Sequence, residues 1–205
     1  MVEEQILVRG VTSPEVLEVM REVPRHCFVP RAHREQAYED RPLPIGNQQT
    51  ISQPYIVALM TDLAQVDREA VVLEVGAGSG YQAAVLGRLA RQVFALEHLA
   101  PLASRAGRQL KELNIHNVEV GVGDGYRGWP EHQPYDAILA SAAIDHVPQA
   151  LLDQLRPEGR IVLPLARGFD SQVLVVVQKS RDGRGMEREV IPVRFVPFVR
   201  SGKSG

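Results

Sequence analysis

The residues best suited to chemistry fall in three short clusters, each preceded by β-forming residues. Glu74-Val75-Gly76-Ala77-Gly78-Ser79-Gly80 stands between the apolar run that begins at Val71 and a helical stretch. Glycines at such a junction let the chain turn sharply and bring backbone N–H groups against a ligand. The spacing G-x-G-x-G is shorter than the dinucleotide fingerprint, which disfavours a pyrophosphate cradle and with it a nicotinamide oxidoreductase. Glu97 ends the second strand, where a carboxylate can accept both ribose hydroxyls of an adenosine ligand. Gly123-Asp124-Gly125 follows the third strand and puts an acid on a tight turn within reach of an adenine ring. Singly, each has a plain reading: a structural turn, a surface glutamate, a turn aspartate. Together they occupy the carboxyl ends of consecutive strands, where open α/β sheets bind ligands, and imply an adenosine-containing cofactor.

Other reactive arrangements are missing from the pattern. The six histidines are scattered without zinc-ligand spacing, and no metal is expected. No nucleophile triad or carboxylate pair stands out. Cys27 is the single cysteine, so no internal disulfide is expected, and the thiol reads as a packing residue in a reducing compartment.

These clusters must be positioned by alternating strands and helices. Val71–Val75, Gln92–Leu96, Val118–Val120, Tyr135–Ala140 and Arg160–Leu165 read as strands, with helices through Ala90 and over Pro101–Leu113. That alternation predicts a mostly parallel, Rossmann-like sheet wound by crossover helices. Gln172–Gln178 and Glu189–Val193 flank the turn-rich Arg181–Gly185 and predict an antiparallel hairpin at the sheet edge. Ahead of the sheet, Ser13 and Pro14 open a helix that ends at Val23 before Pro24. Arg41–Gln49, with Pro42, Pro44 and Gly46, reads as loop, and Ser52 as the N-cap of a helix over Tyr55–Ala64. The expectation is one domain: a helical N-terminal addition (1–69), a cofactor-binding α/β core (70–168), a C-terminal hairpin and substrate-side segment (169–200), and a flexible tail (201–205).

Composition narrows the class. A length of 205 residues with 44% hydrophobic content suits one globular core. A net charge of −2 supplies no basic footprint for nucleic acid. No apolar run reaches membrane-spanning length and the N-terminus is unlike a secretory signal, so a cytoplasmic protein is expected. No apolar seam suggests self-association, and a monomer is expected. Arginine outnumbers lysine 20 to 3 among the 23 basic residues, which fits a GC-rich genome or a thermophilic origin.

The motifs also carry a family resemblance. Leu73–Gly80 resembles the first motif of class I methyltransferases, Tyr135–Leu139 their fourth-strand motif, and Leu155–Arg160 their fifth. Val23-Pro24-Arg25-His26-Cys27-Phe28-Val29-Pro30, Tyr38–Gly46 and Gln49-Thr50-Ile51-Ser52-Gln53-Pro54 resemble the protein-L-isoaspartate methyltransferases, from about Val11 to about Val199. Gln48 stands where bacterial members usually carry glycine. The resemblance implies S-adenosyl-L-methionine as cofactor, S-adenosyl-L-homocysteine as product, and isoaspartyl-containing proteins and peptides as substrates. It implies that Ile51 and Ser52 join the cofactor site, with Ser52 beside the substrate carboxylate as the catalytic residue. Thr50, Gln53, Pro54, Arg194, Phe195, Val196 and Pro197 are implied on the substrate side, although Phe195 and Phe198 also suit a core. A carboxylate is ionised at neutral pH and needs no general base, in keeping with the missing triad. A class I methyltransferase with another acceptor, and a non-catalytic cofactor-binding module, are the alternatives.

Overall fold

The structure is a computed structural model that describes residues 1–168 and 171–198. The expected tail at 201–205 lies outside the described residues.

The N-terminal segment begins with a π-helical turn (Val2–Ile6) and a 3-10 turn (Leu7–Arg9). Helix α1 (Pro14–Glu22) follows, with the Ser13 hydroxyl accepting the Val16 N–H at 3.4 Å and Pro14 in the first turn. Such a cap is worth about 1 kcal/mol. The proline-rich stretch expected as loop is instead an antiparallel hairpin, β1 (Leu43–Gly46) and β2 (Gln49–Ile51), with Leu43 opposite Ile51. Leu43 and Ile45 point inward while Pro44 faces solvent, where its missing N–H costs nothing. Helix α2 (Pro54–Ala64) starts one residue later than a Ser52 cap requires. Its cap residue is Gln53, without a side-chain bond, and Pro54 takes the first turn with its preset φ. Ser52 is therefore not a helix cap.

The sheet has seven strands in the order β5-β4-β3-β6-β7-β8-β9. They are β3 (Val71–Val75), β4 (Gln92–Glu97), β5 (Val118–Val122), β6 (Tyr135–Ala140), β7 (Leu155–Ala166), β8 (Gln172–Lys179) and β9 (Gly185–Val193). The first five pair in parallel; β8 and β9 return antiparallel. All five residues of β3 are buried, as befits a central parallel strand covered on both faces. Strands β7 and β9 begin earlier than the sequence pattern indicates, and the β8–β9 turn closes by Ser180 N–H to the Arg184 carbonyl at 2.8 Å.

Helices α3 (Tyr81–Leu89) and α4 (Ala100–Glu112) cross between the strands as expected, while α5 (Gln149–Gln154) is a short helix that the sequence pattern does not mark. Alternate strand residues face opposite ways. Val72, Ala137, Leu139 and Val162 pack with Met60 of α2 and Leu86 of α3. Leu73, Val75, Ile138 and Ile161 pack on the other side with Leu151 of α5 and Tyr135. The chain leaves β3 toward β4 and β5, then returns across it to β6. This reversal opens a crevice at the carboxyl ends of β3 and β6, the place where such sheets bind ligands.

Candidate active site

The crevice holds a concave cavity with about 820 Å³ of free space, open mouth included. The loop after β3 forms one wall. Gly76, Gly78 and Gly80 adopt φ of +87°, +53° and +85°, a region that a Cβ disfavours. Gly80 is the last residue before α3 and does not itself border the cavity. A Cβ on Gly78 would lie 3.4 Å from Ile45 Cδ1, so the β1–β2 hairpin packs directly over the loop. Arg105 of α4 holds that hairpin by donating to the Ile45 carbonyl at 2.7 Å.

Two carboxylates face the cavity in different states. Glu97, 7% exposed, accepts the Gly78 N–H at 2.8 Å and the Leu99 N–H at 2.9 Å. Each oxygen keeps a further lone pair for a ligand hydroxyl. Glu74 is fully buried, and neither of its oxygens has a hydrogen-bond partner among the described residues. Burial, reinforced by the nearby Glu97 carboxylate, pushes its pKa well above the usual carboxylate range. An orphaned buried carboxyl beside a cavity fits a ligand that brings its own positive charge. S-adenosylmethionine carries two such centres, an ammonium and a sulfonium.

The remaining expected residues divide clearly. Ile51, Ser52, Ser79 and Gly123 border the cavity. Asp124 does not; its carboxylate accepts the Tyr126 N–H at 3.0 Å within its own turn. A second, mostly apolar groove lies beside the cavity, lined by Gln53, Arg194 and Phe195 among others. Thr50, Ser52, Ser141 and Val196 border both spaces, whereas Pro197 borders the cavity alone. Pro54 borders neither and is buried at the start of α2.

Ser52 is held at this junction through its backbone. Arg25, completely buried, donates Nη2–H to the Ser52 carbonyl and Nε–H to the Ala37 carbonyl, both at 2.7 Å. Its guanidinium lies 4.9 Å from the centre of the Tyr81 ring. Burial lowers the Arg25 pKa to about 10, so it stays cationic at neutral pH, while burial pushes the Tyr81 hydroxyl up to about 12.

Sequence reasoning missed Ser141, Ala142 and His98, which border the cavity, and Arg9, which borders the groove. Ser141 and His98 directly follow β6 and β4, so the strand-end rule that marked Glu97 would also have marked them. Arg9 carries no such local signal. The C-terminal segment reaches the site by bonds of 2.9 Å from Ala143 N–H to the Val196 carbonyl and from Phe198 N–H to the Ala143 carbonyl.

The reversal of strand order, the glycine loop after β3 and the carboxylate ending β4 define a Rossmann-like class I methyltransferase, a class that uses S-adenosylmethionine. Residues 1–203 match the model of the protein-L-isoaspartate(D-aspartate) O-methyltransferase family, and the chain belongs to that family. It is 54% identical over 187 residues to protein-L-isoaspartate O-methyltransferase 2 of Syntrophobacter fumaroxidans, spanning 91% of this chain and 76% of that one. It is 56% identical over 191 residues to protein-L-isoaspartate O-methyltransferase 1 of Cupriavidus necator, spanning 93% and 74%. A solved protein-L-isoaspartate O-methyltransferase superposes with a TM-score of 0.87 at 30% identity, over 96% of this chain and 65% of that longer one. A Plasmodium falciparum protein assigned to the same activity, solved with S-adenosyl-L-homocysteine, shares the fold with a TM-score of 0.84 at 23% identity, over 98% and 97%.

Proposed function

We propose that this chain methylates the free carboxylate of L-isoaspartyl residues in damaged proteins and peptides. The observation that carries this reading is that Ser52 borders both the cavity and the groove, so a carboxylate in the groove can meet a methyl donor in the cavity. S-adenosylmethionine, when bound, supplies a methyl group on a sulfonium, which forms an O–CH₃ bond as the S–CH₃ bond breaks.

The residues of the chain bind and orient. Glu97 accepts the ribose hydroxyls, and Glu74 offsets positive charge on the donor. Gly76–Ser79 and Gly123 border the donor, with Gly80 turning the chain into α3 and Asp124 shaping the turn beside Gly123. The Ser52 hydroxyl, freed from capping, donates a hydrogen bond that orients the substrate carboxylate. Thr50, Gln53 and the segment Arg194–Pro197 hold the substrate backbone, while Pro54, buried at the start of α2, only sets the helix start beside them. No side chain needs to act as base, since the acceptor is ionised at neutral pH. Fixing donor and acceptor in line can contribute roughly 7–11 kcal/mol. The neighbouring backbone amide nitrogen of the substrate then displaces methanol from the ester to close a succinimide without help from this protein, and hydrolysis of the ring returns part of the substrate to normal aspartate.

The chain works as one unit, with residues 1–69 and 171–198 walling a core at 70–168. We read it as a monomer acting in the cytoplasm on protein substrates, without nucleic acid; among the described residues no helix is long and apolar enough to cross a membrane. The test is the fate of one isoaspartyl peptide incubated with the protein and S-adenosylmethionine. Successive methyl ester, succinimide and aspartyl peptide are expected; an unchanged peptide would sink the proposal.

A further inference from the structure

The groove that meets Ser52 has an uneven charge. Its floor is apolar, built from Ile56, Ile191, Val193 and Phe195, and among the described residues its only charged lining residues are Arg9 and Arg194. Among the described residues neither Asp nor Glu lines it. Arg9 is fixed in place: its guanidinium lies 3.4 Å from the centre of the Tyr55 ring, and Nη1 donates to Asp40 at 2.8 Å. Asp40 holds it by that one bond, and the Arg9 side chain stays 41% exposed. Arg194 is exposed and forms no ion pair or hydrogen bond among the described residues.

A groove with an apolar floor, cationic rims and no carboxylate attracts anionic segments and repels basic ones. We propose that it selects isoaspartyl segments carrying further acidic residues near the damaged site, with Arg9 and Arg194 as the specificity-determining residues. The proposal rests on the carboxyl-methylation reading above. Acidic neighbours bring a second anion to the rim while the isoaspartyl carboxylate reaches Ser52. Because both arginines are partly solvated, the selection is modest and depends on salt.

The test uses three isoaspartyl peptides that differ only in having Glu, Gln or Lys at the flanking positions. At low salt, kcat/KM is expected to fall in the order Glu, Gln, Lys, by roughly two- to fivefold per step. The spread should collapse near about 1 M salt, where the screening length is about 3 Å. R194Q and R9Q should each shrink the ratio between the Glu and Lys peptides, a comparison internal to each variant that lost stability does not mimic. Equal kcat/KM for the three peptides in the parent protein, or a ratio that both variants preserve, would overturn the selection. Failure to methylate any of the peptides is a separate result and would overturn the activity beneath it.

Discussion

A carboxyl sealed from water with neither oxygen paired is unfavourable as an anion, and Glu74 is in that position beside the cavity. The unfolded chain releases this proton near the ordinary carboxylate pKa of about 4.3, whereas the folded chain keeps it to higher pH. The stabilising contribution is therefore complete below that value and is lost as pH rises through the elevated folded one. Thermal unfolding of the ligand-free protein should show this decline, and E74Q should flatten it; identical pH profiles would contradict the assignment. The same substitution should weaken S-adenosylmethionine, by about tenfold or more if one charge-assisted bond of about 1.5–3 kcal/mol is lost. Calorimetric titration reads that directly. At Ser52 the expectation is different in kind. S52A removes a hydrogen bond to the substrate carboxylate, so kcat should fall about tenfold or more while cofactor affinity changes less. Turnover equal to the parent would remove Ser52 from the mechanism.

The elements that carry these residues are held by local devices with their own costs. The β1–β2 turn puts Asn47 and Gln48 at φ of +53° and +58°. Asparagine tolerates that region, whereas glutamine pays for its Cβ, and glycine is the usual residue there in bacterial relatives by the resemblance noted above. Q48G should raise stability by about 0.5–1 kcal/mol, seen as a higher Tm; a lower Tm would show that the turn is unstrained. Arg25 ties the segment after β2 to the N-terminal turns through two charge-assisted bonds. R25M should cost about 3 kcal/mol or more in chemical denaturation, since two carbonyls lose their partner; a loss below about 1 kcal/mol would show that the tie is dispensable.

The same elements show what was readable in advance. The strands β3, β4 and β6 and helix α1 announce themselves by periodicity and by Ser13–Pro14. The hairpin hid because Pro42 and Pro44 read as loop, although Leu43, Ile45 and Ile51 carry the buried alternation. The six-residue α5 is too short for its period to register. Pro54 moved the α2 start by one residue and freed Ser52, which residue types alone left ambiguous.

At the scale of the whole molecule, the site joins three distant parts of the chain. The sheet supplies Glu74, Glu97 and Ser141; the N-terminal segment supplies Arg9, Thr50 and Ser52; the C-terminal segment supplies Arg194 and Val196. The first set was largely legible, because the carboxyl ends of parallel strands are a fixed address for ligands. The other two depend on long-range packing, and without the family resemblance nothing in their local pattern placed them beside the sheet. Asp124 shows the reverse: the strand-end position was right, but its carboxylate turned back on the Tyr126 N–H. The central claim is that this assembly methylates isoaspartyl carboxylates. The most direct measurement is transfer of label from S-adenosylmethionine to two peptides identical except for isoaspartate or aspartate at one position. Label on the isoaspartyl peptide alone is expected. Label on both alike, or on neither while the cofactor still binds, would contradict it.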